Sequence, residues 1–434
     1  MPFIFVCLAS FSLIASAEAP STVPVRMGVA RASINPMEAG IPTQLGGYGD
    51  RESRPATATL DTIYGKVLLI DQGGTKSALI TVDMCGVPIA VARETLKKAG
   101  IKGLTIDRTL MSASHSHAAL EGRALDPRNT VNNKYVGIFS QPEFNFVTDR
   151  LAKALKEADT DLQPVKAGSS QIDLPGMNRN RRHNPFVDPQ MTVLRIDKAD
   201  GSPYAVLVNY TAHGTFVSGS DMMVSGEWAG SMQRTVEDLV GHGVTCLYAN
   251  GAEGDQSPVG QGGGSHYEKA WNYGREVGIA AARLADAIET TDVAHCAVRS
   301  VWVSLPPLRP SPDFQKIAGQ EYKIAPDQLN HAIETLFPEK APMYAVRVND
   351  FEMVTFPGEP ICELGLAVKA ALRKAGIDNP CVAALTTGQI GYILTKEEYH
   401  KSGYEATASF YGDGLGQLLL DQADKLGTAV ANEK

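Results

Sequence analysis

Cysteine is scarce in this sequence, with six in 434 residues. They show neither the C-x-x-C spacing of a thiolate metal site nor the density of a disulfide framework. Cysteine is therefore not expected to hold a metal, and Cys362 and Cys381 are left either to pair or to stay as free thiols. Long apolar runs are also missing beyond the N-terminus. No later stretch reaches the roughly 18 apolar residues that span a bilayer, so a soluble mature chain is expected. Positive charge is in deficit, with 40 Lys and Arg against 48 Asp and Glu, a net charge of -8 and a pI near 5.7. That balance excludes a phosphate-backbone partner, and the cluster Arg179, Arg181 and Arg182 is too local to reverse it.

What is present begins with an address. Residues 1–19 run apolar for about a dozen positions and then offer small-residue cleavage sites, the layout of a secretory signal. The expectation is a secreted or periplasmic protein with residues 20–427 as its folded domain and 428–434 as a disordered tail. The usual basic start is missing, which leaves a retained apolar anchor as the alternative. A hydrophobic fraction of 44% and a charged fraction of 20% are those of a globular chain with a sizeable core.

From residue 25 to about 304, short β-branched runs alternate with helical patterns. This predicts an α/β fold, a large mixed twisted β-sheet flanked by helices, in a single catalytic domain with a strand-rich C-terminal portion. Strands are expected at 64–71, 76–83, 110–114, 191–197, 204–212 and 243–250, and helices at 88–99, 142–158, 229–241 and 269–290. The Pro-rich, charged stretch 305–342 reads as a lid or connection. Strands at 343–348, 351–356 and 381–386 follow, with helices near 362–375 and 415–426.

Five segments carry residues suited to chemistry. His115-Ser116-His117 ends a strand with two imidazoles expected on one side, which suits two metal ligands or one ligand and one proton carrier; the alternative is a surface pair. His213-Gly214 ends another strand. The carboxyl ends of strands line the crevice in open α/β sheets, so the two histidine sites can converge there; alone, His213 reads as a core residue. Gly251 to Pro258 is a glycine-rich turn bearing Asp255 and Ser257, which is neither the Gly-x-Ser-x-Gly elbow nor a phosphate loop. Pro357-Gly358-Glu359 delivers a carboxylate that is either a helix N-cap or a hard ligand. Last, Tyr392, Tyr399 and Tyr404 place three phenols in a short segment, for which aromatic packing is the simpler account.

Taken in order, these segments resemble the catalytic domain of the neutral/alkaline non-lysosomal ceramidases. Gly28 to Pro36, Gly46-Gly47-Tyr48, Asp83, Ser112 to His117, Asn178-Arg179, Ala212-His213 with Ser225-Gly226, Gly254 to Pro258 and Phe356 to Glu359 match the family's blocks. The resemblance implies a zinc-dependent amide hydrolase acting on ceramide or a related N-acyl lipid. By the same resemblance the Zn2+ ligands are His115, His213, Glu359 and Tyr392, and the surrounding catalytic groups are His117, Arg179, Ser257 and Tyr404.

Several departures stand out. Arg181 competes with Arg179 for the arginine role, Glu227 replaces the family's aspartate, and the immunoglobulin-like C-terminal domain of full ceramidases is expected to be absent. Zinc would activate water and polarise the acyl carbonyl, with His117 relaying the proton. A serine nucleophile at Ser257 is the alternative chemistry. A different amide substrate, such as an N-acyl amino compound or a cell-wall or glycan amide, and a catalytically silent binding protein are the alternative functions. Transient contact with a membrane surface is compatible with a lipid substrate.

Overall fold

The apolar runs of the first 250 residues pair into one mixed sheet, because each buries at least one face and exposes few polar groups along the ladder. In the computed structural model, which describes residues 24–260 and 262–433, this sheet has nine strands. The expected signal segment 1–19 lies outside the described residues. The order is Thr245–Asn250, Pro203–Tyr210, Gln190–Lys198, Gln163–Asp173, Arg26–Ser33, Tyr64–Gln72, Thr75–Val82 and Thr109–Ala113, with Thr291–Asp292 added beside Gln163–Asp173. The two end pairs are parallel and the pairs between them antiparallel.

A second sheet of four strands, Cys296–Ser304, Lys340–Val348, Phe351–Thr355 and Asn379–Ala383, covers one face of the first. Met27, Leu68, Leu79, Leu194 and Leu207 from the large sheet pack with Tyr344, Val346, Phe351, Met353 and Cys381 from the small one. Helices cover both outer faces. Gln141–Thr160 lies on the large sheet through Val147, Leu151 and Leu155, and His266–Ala287 through Tyr273, Val277 and Ala281. Cys362–Lys374 and Leu415–Ala431 cover the small sheet through Val368, Leu372 and Leu419. The layers are helix, sheet, sheet, helix, each sheet burying both faces.

The helices start where their caps sit. Ser265 and Glu268 form a reciprocal capping box at the start of His266–Ala287, so that helix begins three residues earlier than its apolar periodicity predicts. Ser140 caps Gln141–Thr160, with Pro142 in its first turn.

The strand Gln163–Asp173 escapes sequence reading because Lys166, Gly168, Ser169 and Ser170 interrupt its alternation; pairing on both sides holds it. The C-terminal tail is a correction. Helix Leu415–Ala431 runs through the start of the stretch expected to be disordered, with Val430 fully buried and Arg347 Nη1 donating to the carbonyl of Val430. All five described cysteines, Cys362 and Cys381 included, are free thiols. No described helix is long and apolar enough to cross a membrane.

Candidate metal centre

The site lies where strands of both sheets end. His115 follows Thr109–Ala113, His213 follows Pro203–Tyr210, Glu253 follows Thr245–Asn250 and Glu359 follows Phe351–Thr355. His115 adopts φ +63°, a conformation few non-glycine residues take, and this turn rather than a continued strand aims its ring inward. Glu227 holds the turn: its Oε2 accepts the backbone N–H of His117 at 2.6 Å and the hydroxyl of Ser116 at 3.1 Å. Burial raises the Glu227 carboxyl to about 7. Ser116 and Gly214 form a bridge between the two histidine loops. A Cβ at Gly214 would lie 2.0 Å from the carbonyl oxygen of His115, so only glycine permits that approach.

Three imidazoles meet in the interior. His115 Nε2 lies 2.9 Å from His213 Nε2 and 3.3 Å from His117 Nε2, and 3.5 Å from Glu359 Oε2. Nδ1 of His115 faces the carbonyl of Cys85, and Nδ1 of His213 faces the carbonyl of Glu253 at 3.3 Å. A carbonyl only accepts, so both Nδ1 atoms carry the proton and both Nε2 atoms turn lone pairs toward each other. Burial pushes all three histidines below the ordinary imidazole range, against the pull of Glu359 on His115, which keeps them neutral. Two facing lone pairs at 2.9 Å repel unless a cation lies between them. Glu359 Oε2 and both carboxyl oxygens of Glu253 are buried without a hydrogen-bond partner among the described residues. Ligating atoms of His115, His213, Glu253 and Glu359 all lie within 4.8 Å of one another. This donor set fits a divalent metal ion.

Glu359 and Tyr392 are partners in a short parallel pairing of Glu359–Pro360 with Tyr392–Ile393. Burial, and then Glu359, hold the Tyr392 phenol well above its ordinary range, while Arg181 pulls it down. Glu359 does not cap the next helix. That role falls to Asp255, whose Oδ1 accepts the N–H of Cys362 at 2.9 Å. Asp255 also accepts from Asn180 Nδ2 at 2.7 Å, which makes it a structural member of its motif.

The arginine beside the centre is Arg181. Its Nη2 donates to the Tyr392 hydroxyl at 3.0 Å and to the carbonyl of Gly254 at 2.8 Å, and its Nε to Glu405 at 2.7 Å. Burial works against its charge, but Tyr392 and Glu405 hold it protonated beyond the ordinary guanidinium range. Arg179 is exposed, because Asn178–Asn180 is a strand whose flanking residues Asn178 and Asn180 point inward. Ser257 faces Arg179 across the pairing of Gln256–Pro258 with that strand, and the neighbouring Gln256 carbonyl accepts the N–H of His213 at 2.9 Å.

His117 and Tyr404 line a cavity with His115, His213, Glu359 and Tyr392. The Tyr404 hydroxyl donates to Glu321 at 2.8 Å and lies 3.1 Å from the hydroxyl of Tyr322. The cavity continues away from the metal-type donors between Val136, Phe314, Ile333, Leu336, Phe337 and Phe410. Stretch 305–342, whose role was not legible in sequence, thus supplies most of this apolar wall together with Glu321 and Tyr322. Sequence reasoning also passed over Glu253. An acid in a glycine-rich turn reads as a solvated loop, and its one signal is its place just past a fully buried strand.

Fold and site together define an α/β protein with a buried divalent-metal donor cluster at the strand ends, opening onto an apolar cavity. Residues 26–268 match the family model for the N-terminal part of the neutral/alkaline non-lysosomal ceramidases, and the chain belongs to that family. It is 22% identical to a neutral ceramidase of Pseudomonas aeruginosa, over 92% of this chain and 72% of that protein. It is 21% identical to neutral ceramidase B of Dictyostelium discoideum, over 84% of this chain and 67% of the relative. A crystal structure of the neutral ceramidase from Pseudomonas aeruginosa superposes with a TM-score of 0.75 at 20% identity, covering 94% of this chain and 75% of that one. A ceramidase complexed with C2 gives a TM-score of 0.78 at 19% identity over the same shares.

Proposed function

We propose that the protein is a zinc-dependent amide hydrolase that cleaves the N-acyl bond of ceramide or a closely related N-acyl lipid. The observation that carries the metal is the pair of facing Nε2 lone pairs of His115 and His213, beside the unpartnered oxygen of Glu359. His115, His213, Glu359 and Tyr392 would hold the ion, two nitrogens and two oxygens within the range of zinc's borderline taste. A bound zinc supplies Lewis acidity toward the acyl carbonyl and lowers the pKa of water.

The remaining steps fall to side chains. His117, neutral and with its Nε2 turned toward the donors at 3.3 Å from His115 Nε2, accepts a proton from the attacking water and returns it to the departing amine, so water adds across the C–N bond with no net proton change. Arg181 carries the positive charge nearest Tyr392 and stabilises the oxyanion, in place of Arg179. Tyr404, held by Glu321, places a hydroxyl at the mouth between the donors and the apolar wall. Ser257 stands opposite the exposed Arg179 and outside the lining of the cavity, and no step is assigned to it. The apolar wall of Phe314, Ile333, Leu336, Phe337 and Phe410 accepts the acyl chain, which favours a lipid over a small polar amide.

Export is proposed on residues 1–19 alone, and N-terminal sequencing of protein recovered from the secreted or periplasmic fraction tests it. The substrate is tested by incubating purified protein with labelled ceramide beside a panel of N-acyl amino acids, with zinc content measured on the same sample. Fatty-acid release from ceramide with about one zinc per chain is expected. Turnover of the amino-acid conjugates alone would replace the lipid with another amide, and absence of both turnover and metal would leave only a binding protein.

A further inference from the structure

We propose that Glu253 is a further ligand of the metal centre, placing a second carboxylate beside Glu359; this rests on the metal-dependent reading above. The residue is delivered by the backbone. Strand Thr245–Asn250 ends at the rim, and the turn that follows runs directly against the Glu359 loop: Gly254 N–H donates to the carbonyl of Pro360 at 2.9 Å. A Cβ on Gly254 would stand 2.6 Å from the carbonyl oxygen of Glu359, so glycine there is what lets Glu253 come this close.

A carboxylate in that position calls for a cation or a retained proton. Glu253 is fully buried, and neither of its carboxyl oxygens has a hydrogen-bond partner among the described residues. Its oxygen lies within 4.8 Å of donor atoms of His115, His213 and Glu359. The nearest guanidinium, Arg181, is already engaged by Glu405, Tyr392 and the carbonyl of Gly254. The backbone carbonyl of Glu253 faces His213 Nδ1, so one residue fixes the orientation of a proposed ligand and also offers its own carboxylate to the same point. A buried carboxylate pair without a donor is costly unless an ion or a shared proton lies between the two groups. Two imidazoles, two carboxylates and a phenol make a five-donor, oxygen-rich set, which favours a coordination number above the tetrahedral four of closed zinc sites.

The test is metal binding by the full chain, read apart from activity. Zinc stoichiometry and dissociation constant are measured by chelator competition for wild type, Glu253→Gln and Glu359→Gln, and the visible absorption of the Co2+-loaded proteins is recorded. Glu253→Gln is expected to bind zinc roughly tenfold to a hundredfold more weakly. Its Co2+ bands are expected to intensify as the coordination number falls.

Wild-type affinity and an unchanged Co2+ spectrum in Glu253→Gln, with affinity lost in Glu359→Gln, would mean a proton shared between the carboxylates and overturn the assignment while sparing the metal centre. Wild type without tight zinc would overturn the centre itself. Should Glu253→Gln not fold, a crystal structure of zinc-loaded wild type decides directly: a Glu253 oxygen at about 2.0–2.2 Å from the ion supports the assignment, and one beyond bonding distance overturns it.

Discussion

Glu359 and Tyr392 lie directly opposite each other in a two-residue parallel pairing, so a carboxylate and a phenol 33 positions apart in sequence reach the same point from adjacent backbones. Two consequences follow for the phenol. Tyr392→Phe keeps the ring and removes only the oxygen. Expected are a fall in kcat of about a hundredfold or more and weaker zinc binding, with the circular-dichroism spectrum unchanged. A wild-type kcat in this variant would take Tyr392 out of the chemistry.

The arginine role separates by position. Arg181→Ala is expected to lower kcat/KM by roughly a hundredfold to a thousandfold, the scale of a lost oxyanion donor. Arg179→Ala, at an exposed position, should stay within about twofold, the range of ordinary surface substitutions. Steady-state kinetics on both variants decide between them, and the reverse pattern would return the role to Arg179.

Asp255→Ala tests the cap that frees Glu359. Loss of the acceptor for the Cys362 N–H should cost about 1–2 kcal/mol. The Asn180 amide keeps its bonds to Asn184 Oδ1 and the carbonyl of Phe186, so its lost bond to Asp255 adds only about 0.5–1.5 kcal/mol. Urea denaturation measures the sum, and Asp255→Asn is expected to recover part of it. An unaltered midpoint would show that the helix Cys362–Lys374 does not depend on this contact.

Glu352 offers a pH dependence away from the centre. Burial raises its carboxyl to about 8, only partly offset by Arg347, and both oxygens are buried without hydrogen-bond partners among the described residues. A raised carboxyl pKa means the native state holds a proton that the unfolded chain gives up near 4.5, so this group's contribution is full below pH 4.5 and is lost as pH rises toward 8. Unfolding free energy should therefore decline across that window by a few kcal/mol, at about 1.4 kcal/mol per pH unit for a single group. Glu352→Gln should remove that part of the decline, and equal slopes for the two proteins would contradict the assignment.

The apolar wall predicts chain-length selectivity. Ile333→Trp narrows the cavity beyond the donors, so long N-acyl chains should lose kcat/KM by at least tenfold while short-chain substrates keep theirs. Equal losses for both lengths would place the acyl chain elsewhere.

Much of this was legible in the chain itself. His115, His213, Glu359 and Tyr392 were marked by strand ends, a Pro-Gly break and a match in order to one family, and the structure brings all four together. The α/β class was legible because Tyr64–Gln72, Thr75–Val82 and Pro203–Tyr210 are near-continuous apolar runs. The small sheet was legible as strands but not as a layer stacked on the large sheet, since periodicity reports that a face is buried and not what buries it.

Sequence by itself marked His115, His213 and Glu359 as side chains just past strands, because strands announce themselves by local pattern, while Tyr392 was singled out by the family resemblance. Tertiary structure alone decided which of Arg179 and Arg181 faces the phenol, that Asp255 rather than Glu359 caps the helix, and that Glu253 joins the cluster. Those three outcomes depend on loops meeting across the rim of two sheets. Contacts between residues 100 or more positions apart, set by where a glycine such as Gly254 allows backbones to touch, leave no local periodicity to read.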